Sequence, residues 1–531
     1  MRTANVLVDG QARVGELSYR VPDGIDVAVG DAVEVPFGPR VARGVVTAEG
    51  DPQRATRDLL RVYGRRSHPV EIAVARDVAA ANLAEFTAVA RRLAPVSKRG
   101  NSPMDVGPVV LTEGPTFADL GRPAALSRRR RRIDALSPNV DEARLAALEA
   151  AELSERGPVL VLCPSKRSVT EVLSHFASGA ARLDNVPVGE APSAWRGFTE
   201  GGVRVGIATR AAALWGADLA GIVVVDEDHP GHREVAMPYT HARDVAARRT
   251  LARNASLVLH SHNPSPAGLG AQVTISRVGA GWPEVHVLAR NPRRRWEPEL
   301  VRGLAPLLLG DVLVVAGSAR STRRCAACRH VWSCEACSSG GCPHCPEVCP
   351  SCSSEDTLII GWDPYKIRRL LPEARVLSPA DLRDAPAADT VVFFDVDPWL
   401  SRAELVEGRA AVDRILLGLR RVRAGGRAVI VTTEPAHPLI ERLAAGDLLG
   451  VARHTWEQAR DGRLPPFAHQ ITLTGRGRAP SATNWPGRVL GPRVHDDVWE
   501  IIVLCDDDEF SRLSSILTRV RRRSQTRITI V

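Results

Sequence analysis

Cysteine residues form the most distinctive chemical pattern in this sequence. Eight of the ten cysteines lie in one short segment and form four C-x-x-C pairs, which are Cys325/Cys328, Cys334/Cys337, Cys342/Cys345 and Cys349/Cys352. A C-x-x-C turn places two sulfur atoms on one side of a tight knuckle, and two knuckles supply the four thiolates of a tetrahedral zinc site. Four knuckles therefore predict two structural zinc ions, each closed to further ligands and so without a catalytic role.

The residues around the knuckles favour metal binding over other cysteine chemistry. Proline and glycine are frequent between residues 340 and 350, and large apolar side chains are too few to fold the segment without a metal. A redox C-x-x-C is usually solitary, and the usual iron–sulfur spacings differ from four regular knuckles. His330 and His344 are near enough to act as substitute ligands, and spacing alone leaves adjacent and nested pairing of the knuckles open. The remaining cysteines, Cys163 and Cys505, end apolar strands and are predicted core residues.

A second candidate site is a carboxylate pair at the end of an apolar run. Asp226 and Glu227 follow Ile222–Val225, which is typical of a fully buried parallel strand. In an ATP-driven motor, such a pair coordinates Mg²⁺ and activates water. That chemistry also needs a glycine-rich phosphate loop with a lysine, and the pattern G-x-x-x-x-G-K-[ST] is absent from the sequence. We therefore expect the pair to be structural and ATP binding to be lost.

The composition excludes disordered and membrane-spanning classes and favours a polyanionic partner. A chain of 531 residues, 25% of them charged, with a formal net charge of +9, is expected to be a multidomain globular protein with a basic surface. Basic proteins gain affinity for nucleic acid by releasing its counterions. No apolar run is long enough to cross a bilayer, and the first ten residues lack the charged and apolar regions of a leader. We expect a cytoplasmic protein whose thiols stay reduced.

The apolar pattern predicts a multidomain α/β protein. Alternating apolar residues with glycine punctuation indicate short strands, helical spacing indicates helices, and continuous apolar runs indicate buried parallel strands. In chain order, the predicted regions are a β-rich domain at 1–54, a helical linker or reduced winged helix at 55–105, a first α/β lobe at 106–290, a second lobe at 291–320 and 355–470, the cysteine insertion at 321–354 and a small α/β domain at 485–531.

Five motifs occur in an order that is characteristic of one protein family. They are Val33–Gly38 (V-E-V-P-F-G), Asp226–His229 with the following Tyr239–Asp244 (Y-T-H-A-R-D), the four inserted knuckles, Leu464–Phe467 (L-P-P-F) and Val489–Pro492 (V-L-G-P). Together they resemble the PriA (primosomal protein N′) family of replication restart proteins. The resemblance implies two RecA-like helicase lobes and an N-terminal domain that binds DNA 3′ ends, with Ser18 and Gly38 as DNA contacts.

The resemblance also implies cofactors and partners. The family's nested pairing implies one zinc on Cys325, Cys328, Cys349 and Cys352, and a second zinc on Cys334, Cys337, Cys342 and Cys345. The implied partners are forked, branched and single-stranded DNA, the single-stranded-DNA-binding protein, and the replicative helicase or its loader.

Departures from the family pattern concern the motor and the DNA-end pocket. Residues 122–155, where the family's phosphate loop is expected, are Arg-rich and then rich in Ala, Leu and Glu. The family's G-S-A-T-P motif is replaced by Leu259–Pro264, and its arginine-finger motif by Leu417–Gly426. The family's F-D-Y is Leu17–Tyr19 here, so that serine replaces the acid that would accept a bond from a terminal 3′-hydroxyl.

Three functions remain after these departures. The sequence contains only three lysines, Lys98, Lys166 and Lys366, and none of them follows a glycine-rich loop. We therefore expect a fork-binding assembly factor that does not hydrolyse ATP. The alternatives are an active ATP-dependent 3′-to-5′ DNA helicase with a divergent phosphate loop, and a protein-interaction relic that no longer binds DNA.

Overall fold

The structure is a computed structural model, and its mixed α/β architecture agrees with the fold class that the sequence predicts. The chain divides into two units. The first unit comprises Met1–Asp134, Asp141–Ser276 and Ala459–Val531, and the second comprises Ala135–Val140 and Arg277–Gln458. The residues that the structure describes are 2–9, 15–82, 84–90, 92–93, 102–184, 190–234, 240–279, 281–291, 298–317, 322–333, 348–361, 364–379, 381–400, 405–482, 484–495, 497–523 and 526–530.

The first unit begins with an antiparallel sheet of five strands in the order β2-β1-β4-β3-β5. The strands are β1 (Arg2–Val8), β2 (Glu16–Val21), β3 (Asp31–Phe37), β4 (Arg40–Glu49) and β5 (Arg61–Arg65). Val6, Val33 and Val35 are fully buried in its core. The sheet extends past residue 54, where the sequence predicts the β region to end, because β5 pairs with β3.

Two helices follow this sheet, within the segment predicted to be helical. They are α1 (Pro69–Ala81) and α2 (Phe86–Ala90). Helix α1 begins after His68, whose ring nitrogen accepts a hydrogen bond from the backbone N–H of Val70, and Pro69 occupies the first helical position, where no N–H is needed.

A seven-stranded sheet with the order β10-β11-β8-β12-β13-β7-β14 forms the centre of the first unit. The elements of this region are β6 (Val110–Leu111), β7 (Arg131–Leu136), α3 (Glu142–Ser154), β8 (Val159–Leu162), α4 (Lys166–Leu173), β9 (Phe176–Ser178), β10 (Ala180–Arg182), α5 (Glu190–Glu200), β11 (Val205–Ala208), β12 (Gly221–Val224), α6 (Ala242–Arg253), β13 (Ser256–Ser261), α7 (Pro266–Leu269) and β14 (Thr274–Val278). Strands β10, β11, β8, β12 and β13 are parallel.

The central strands are apolar throughout because both faces of the sheet are covered. In β8, Leu160 and Leu162 pack into one hydrophobic core, while the alternate residues Val159 and Val161 pack into another. The carboxyl ends of β8 and β12 lie side by side, since Leu162 pairs with Val224. This places the residues after β12 at the edge where ligand sites of parallel sheets form.

The second unit contains a parallel five-stranded sheet with the order β15-β22-β21-β16-β20. Its elements, with those of the cysteine region, are β15 (Glu284–Ala289), α8 (Pro298–Leu304), β16 (Val312–Ala316), β17 (Thr322–Cys325), β18 (Val331–Ser333), β19 (Thr357–Gly361), α9 (Pro364–Leu370), β20 (Arg375–Leu377), β21 (Ala388–Phe394), α10 (Asp397–Leu400), α11 (Leu405–Leu419), β22 (Val422–Thr432), α12 (Pro438–Ala444) and α13 (Leu448–Asp461). Strands β18, β17 and β19 form a separate antiparallel sheet.

The C-terminal region of the first unit is an antiparallel sheet with the order β24-β25-β23-β26. It consists of β23 (His469–Arg476), β24 (Arg488–His495), β25 (Val498–Cys505), α14 (Asp507–Arg523) and β26 (Arg527–Ile530). The sequence predicts the strand–helix–strand succession of β25, α14 and β26. It does not predict β23, which precedes residue 485 and separates β25 from β26 in the sheet.

None of the helices in the described ranges combines the length and the apolar character that a bilayer crossing requires.

Candidate nucleic-acid and metal sites

A cavity of 660 Å³ opens in the N-terminal sheet. Its lining comes from the facing strands β1 and β2, from the β3–β4 hairpin and from the turn after β4, and consists of Asn5, Glu16, Leu17, Ser18, Tyr19, Pro36, Phe37, Gly38, Asp51, Arg54, Thr56 and Arg57. Both residues predicted to contact DNA, Ser18 and Gly38, therefore line this cavity. We call it the end pocket.

Gly38 forms the tip of the β3–β4 hairpin. Its φ angle of +60° lies in the left-handed region, where glycine is favoured, and an added Cβ atom would meet nothing within 4 Å. Its carbonyl oxygen accepts a hydrogen bond of 2.8 Å from Nη1 of Arg57. The hairpin tip is thus tied to a cationic side chain of the pocket wall.

Tyr19 links two of the strands that line the end pocket. Tyr19 is buried and its hydroxyl donates to the carbonyl oxygen of Pro36 at 3.1 Å. Burial raises the pKa of Tyr19 above its ordinary value, although the nearby Arg57 acts in the opposite direction. Tyr19 therefore stays neutral and holds β2 against β3 at the base of the cavity.

The four cysteines of the outer two knuckles lie together in the second unit. Their sulfur atoms are all within 4.8 Å of one another; Sγ of Cys325 is 3.6 Å from Sγ of Cys352, and Sγ of Cys328 is 3.6 Å from Sγ of Cys349. The cluster can hold one metal ion, and a set of four thiolates suits zinc. The other four predicted ligands, Cys334, Cys337, Cys342 and Cys345, lie outside the described residues.

Backbone N–H groups donate hydrogen bonds to two sulfur atoms of this cluster. The N–H groups of Cys328 and Ser351 donate to the sulfur atoms of Cys325 and Cys349, each at 3.4 Å. The bond from Cys328 lowers the pKa of the Cys325 thiol, whereas the neighbouring thiols raise the pKa of the Cys352 thiol to about 12 against a backbone hydrogen bond from Ser354. Since metals bind the thiolate, the bond from Cys328 favours the ligating form of Cys325.

Asp226 and Glu227 lie just beyond the carboxyl end of β12, as predicted. The Glu227 carboxylate, however, is hydrogen-bonded to other residues of the protein and is not exposed. It is fully buried, Oε1 accepts from the backbone N–H of Ser265 at 2.8 Å, and Oε2 accepts from the Ser265 hydroxyl at 3.0 Å. Nη1 of Arg243 also donates to Oε2 at 2.8 Å. Asp226 has a left-handed φ of 49°, and its backbone N–H donates to Oε1 of Glu142 at 2.7 Å.

The connection from β7 to α3 lies within the segment where the sequence places the missing phosphate loop. A phosphate loop follows a strand and opens a helix, and this connection reads Ser137-Pro138-Asn139-Val140-Asp141. Asp141 caps α3 by accepting from the N–H of Arg144 at 3.0 Å, and Glu142 is the first residue of the helix. The helix therefore begins with two carboxylates and without a glycine or a lysine.

Comparisons with known proteins agree with the motifs. A model of the PriA 3′DNA-binding domain (3′BD) matches residues 5–92, which include the whole end pocket. A replication restart protein PriA from Chlamydia pneumoniae is 27% identical over 176 residues, and one from Bacillus subtilis (strain 168) is 24% identical over 270 residues. These matches support a relationship of this chain to the PriA family.

The matches to PriA proteins are partial. The first covers 29% of this chain and 22% of the C. pneumoniae PriA protein, and the second covers 42% of this chain and 34% of the B. subtilis PriA protein. Among solved structures, S. cerevisiae Dbp5 bound to RNA and ADP BeF3 matches 61% of this chain and 83% of its own at 9% identity. The TM-score of that match is 0.28, which is too low to support a conclusion about the fold of this chain.

Sequence reasoning missed part of the end pocket. Asn5, Asp51, Arg54 and Arg57 line it, yet none of them was predicted as a DNA contact. A signal was available, because a turn of the type Asp-Pro-Gln-Arg directly follows the strand that pairs with the V-x-V-P-F-G strand. The structure adds the charged residues Asp51, Arg54 and Arg57 and the neutral amide of Asn5 to the predicted Ser18 and Gly38.

Proposed function

We propose that this chain binds stalled or branched DNA forks and helps to reload the replicative helicase without hydrolysing ATP. The observation that carries this proposal is the pair of carboxylates at the start of α3. Asp141 and Glu142 stand where a motor of this type needs glycine amides and a lysine. Negative side chains at that position repel the triphosphate that a phosphate loop would bind.

The state of Glu227 supports the same proposal. Activation of water requires a carboxylate that can reach the nucleotide site. In this chain the Glu227 carboxylate accepts three hydrogen bonds from Arg243 and Ser265 and has no exposed surface. We assign Asp226 and Glu227 a structural role, as degenerate remnants of a Walker B motif.

The DNA-binding part of the proposal rests on the end pocket. Arg54 and Arg57 supply cations for phosphates, and Ser18 and Gly38 supply polar and backbone contacts. A net charge of +9 favours the same partner. We propose forked, branched and single-stranded DNA as ligands, and the single-stranded-DNA-binding protein and the replicative helicase or its loader as protein partners.

The proposal retains the predicted organisation of two RecA-like lobes, a zinc insertion and a C-terminal domain in a cytoplasmic protein. One zinc is assigned to the cluster of Cys325, Cys328, Cys349 and Cys352. A second zinc is assigned to Cys334, Cys337, Cys342 and Cys345 on the resemblance and the spacing of the knuckles.

The deciding experiment is a nucleotide-binding titration with phosphate release measured on the same preparation. The full chain, shown to bind a forked DNA, is mixed with ATP and with a non-hydrolysable analogue. We expect no saturable nucleotide binding and no phosphate release above the protein-free control. Turnover that disappears in Asp226→Asn would instead establish the alternative, an ATP-dependent 3′-to-5′ helicase with a divergent phosphate loop.

A further inference from the structure

Ser18 of the end pocket is already occupied by hydrogen bonds within the sheet. Its hydroxyl donates to Oδ1 of Asn5, which is its partner across β1 and β2, at 2.7 Å. It also accepts from the backbone N–H of Asp51 at 3.2 Å. A hydroxyl has one proton and two lone pairs. Ser18 therefore has no proton to offer a ligand and retains one weak, neutral acceptor position.

The same hydrogen bond ties Asp51 to the position that carries an acid in the family pattern. Residue 51 follows Gly50, whose backbone lies so close to β1 that an added Cβ atom would be 2.8 Å from the nitrogen of Ala4. The N–H of Gly50 donates to the carbonyl oxygen of Thr3, and the Thr3 hydroxyl donates back to the carbonyl oxygen of Gly50. These bonds fix the backbone of Asp51 beside Ser18.

The carboxylate of Asp51 keeps acceptor capacity for a ligand. Oδ1 accepts from the N–H of Gln53 at 2.9 Å, and Oδ2 lies 3.4 Å from Nε of Arg54, while 46% of the Asp51 side chain is exposed. A carboxylate has about four acceptor positions, so these contacts do not saturate it. The other acid of the pocket, Glu16, is held by Arg76 and Thr47.

We propose that Asp51 replaces the missing acid at position 18 and accepts the hydrogen bond of a free 3′-hydroxyl at the end of a DNA strand. This inference rests on the proposed function, since it concerns the same pocket. The exposed Arg54 is placed to bind the phosphodiester on the 5′ side of the terminal nucleotide. A 3′-phosphate would bring its charge against Asp51, so the pocket selects hydroxyl ends over phosphorylated ends.

The test uses the full chain and three single-stranded oligonucleotides that differ only in ending with a 3′-hydroxyl, a 3′-hydrogen or a 3′-phosphate. Fluorescence anisotropy is expected to show about tenfold tighter binding of the 3′-hydroxyl end, which is the ratio that one charge-assisted hydrogen bond supplies. In Asp51→Ala this preference falls to about one. Asp26→Ala, a change of the same type at an exposed residue outside the pocket, keeps the preference.

Ser18→Ala separates the two candidate acceptors, and circular dichroism with thermal unfolding verifies that each variant is folded. The inference predicts a smaller loss of preference in Ser18→Ala than in Asp51→Ala. The opposite order, or tighter binding of the 3′-phosphate end, overturns the inference. DNA binding that does not discriminate between ends overturns the inference and leaves the proposed function intact. The absence of DNA binding at low salt, for forks as well as oligonucleotides, overturns both.

Discussion

Nη1 of Arg243 lies 2.8 Å from Oε2 of Glu227, and both side chains are buried. Arg243 also contacts Asp228 and Asp244, and the charges of these carboxylates hold its pKa well above the ordinary value against the effect of burial. The arginine of the Y-T-H-A-R-D motif thus forms ion pairs with two carboxylates that follow β12, those of Glu227 and Asp228. The Glu227 carboxylate in this ion pair therefore has a structural role.

This pair yields a stability prediction. Arg243→Met leaves the Glu227 carboxylate buried without its guanidinium, and we expect the free energy of unfolding to fall by about 3–5 kcal/mol. Urea denaturation is the measurement. Arg248→Met, on the exposed face of the same helix, is the matched control and is expected to change stability by less than about 0.5 kcal/mol. A stable Arg243→Met protein would show that the pair is dispensable for folding.

The outer cysteine cluster yields a metal prediction. Cys325→Ser removes one of four thiolates from the cluster, and we expect the zinc content to fall by about one ion per chain because three ligands bind zinc far more weakly than four. Elemental analysis of purified protein is the measurement. Cys505→Ala, which changes a buried cysteine of the C-terminal sheet, should retain all the metal. Equal zinc in both variants would contradict the assignment.

Buried histidines yield a pH prediction for the first unit. Burial lowers the pKa of His232 to about 4 and that of His260 to about 3. Because the folded pKa lies below the unfolded value near 6.5, the unfolded chain takes up protons first as the pH falls. The contribution of the neutral, buried His232 to the free energy of unfolding is complete above about pH 6.5. It is lost between about pH 6.5 and 4, which lowers the free energy of unfolding by about 3 kcal/mol.

Denaturation measured at several pH values in this range tests whether the free energy of unfolding falls as the pH is lowered. His232→Gln keeps a donor for the carbonyl oxygen of Val225, which His232 contacts at 2.7 Å, but it removes the titrating ring. The dependence of stability on pH should therefore be shallower in the variant. An unchanged dependence would mean that His232 does not titrate on unfolding.

The end pocket yields a salt prediction. If Arg54 contacts one phosphate of single-stranded DNA, Arg54→Gln should reduce the slope of log K against log salt by about 0.7. Arg54 is 82% exposed, so its replacement should not affect folding. Arg167→Gln, which removes an arginine that is 77% exposed on α4, is the comparison and should leave the slope unchanged. Equal slopes for Arg54→Gln and the unaltered protein would place the DNA elsewhere.

The strands that could be predicted from the sequence are those in which almost every residue is buried, because both faces of the sheet are covered. Val312–Val315 and Ile222–Val224 are apolar because helices cover both faces of their sheets, and both runs lie in strands. The edge strands β10 and β20 are three residues long and contain arginines, so they give no such pattern. Their pairing depends on neighbours that are distant in sequence.

Some residues of the candidate sites could also be predicted from the sequence, and others could not. Ser18 and Gly38 could be predicted because a family motif identifies them. The proposed role of Asp51 could not be predicted, because it depends on the register of β1 with β2 and on the close approach of Gly50 to β1. For the cysteines, spacing left two pairings open. The structure brings together the outer four, which is the set that the nested pairing of the family implies.

Segments of the first unit come before and after the main segment of the second along the chain, since Met1–Asp134 and Ala459–Val531 belong to the first unit and Arg277–Gln458 to the second. A chain that leaves the ribosome amino end first can fold the N-terminal sheet, including the end pocket, early in translation. The strand β23 emerges only after the entire second unit has been made. A nascent chain paused there already contains all the residues of the end pocket but still lacks the C-terminal sheet.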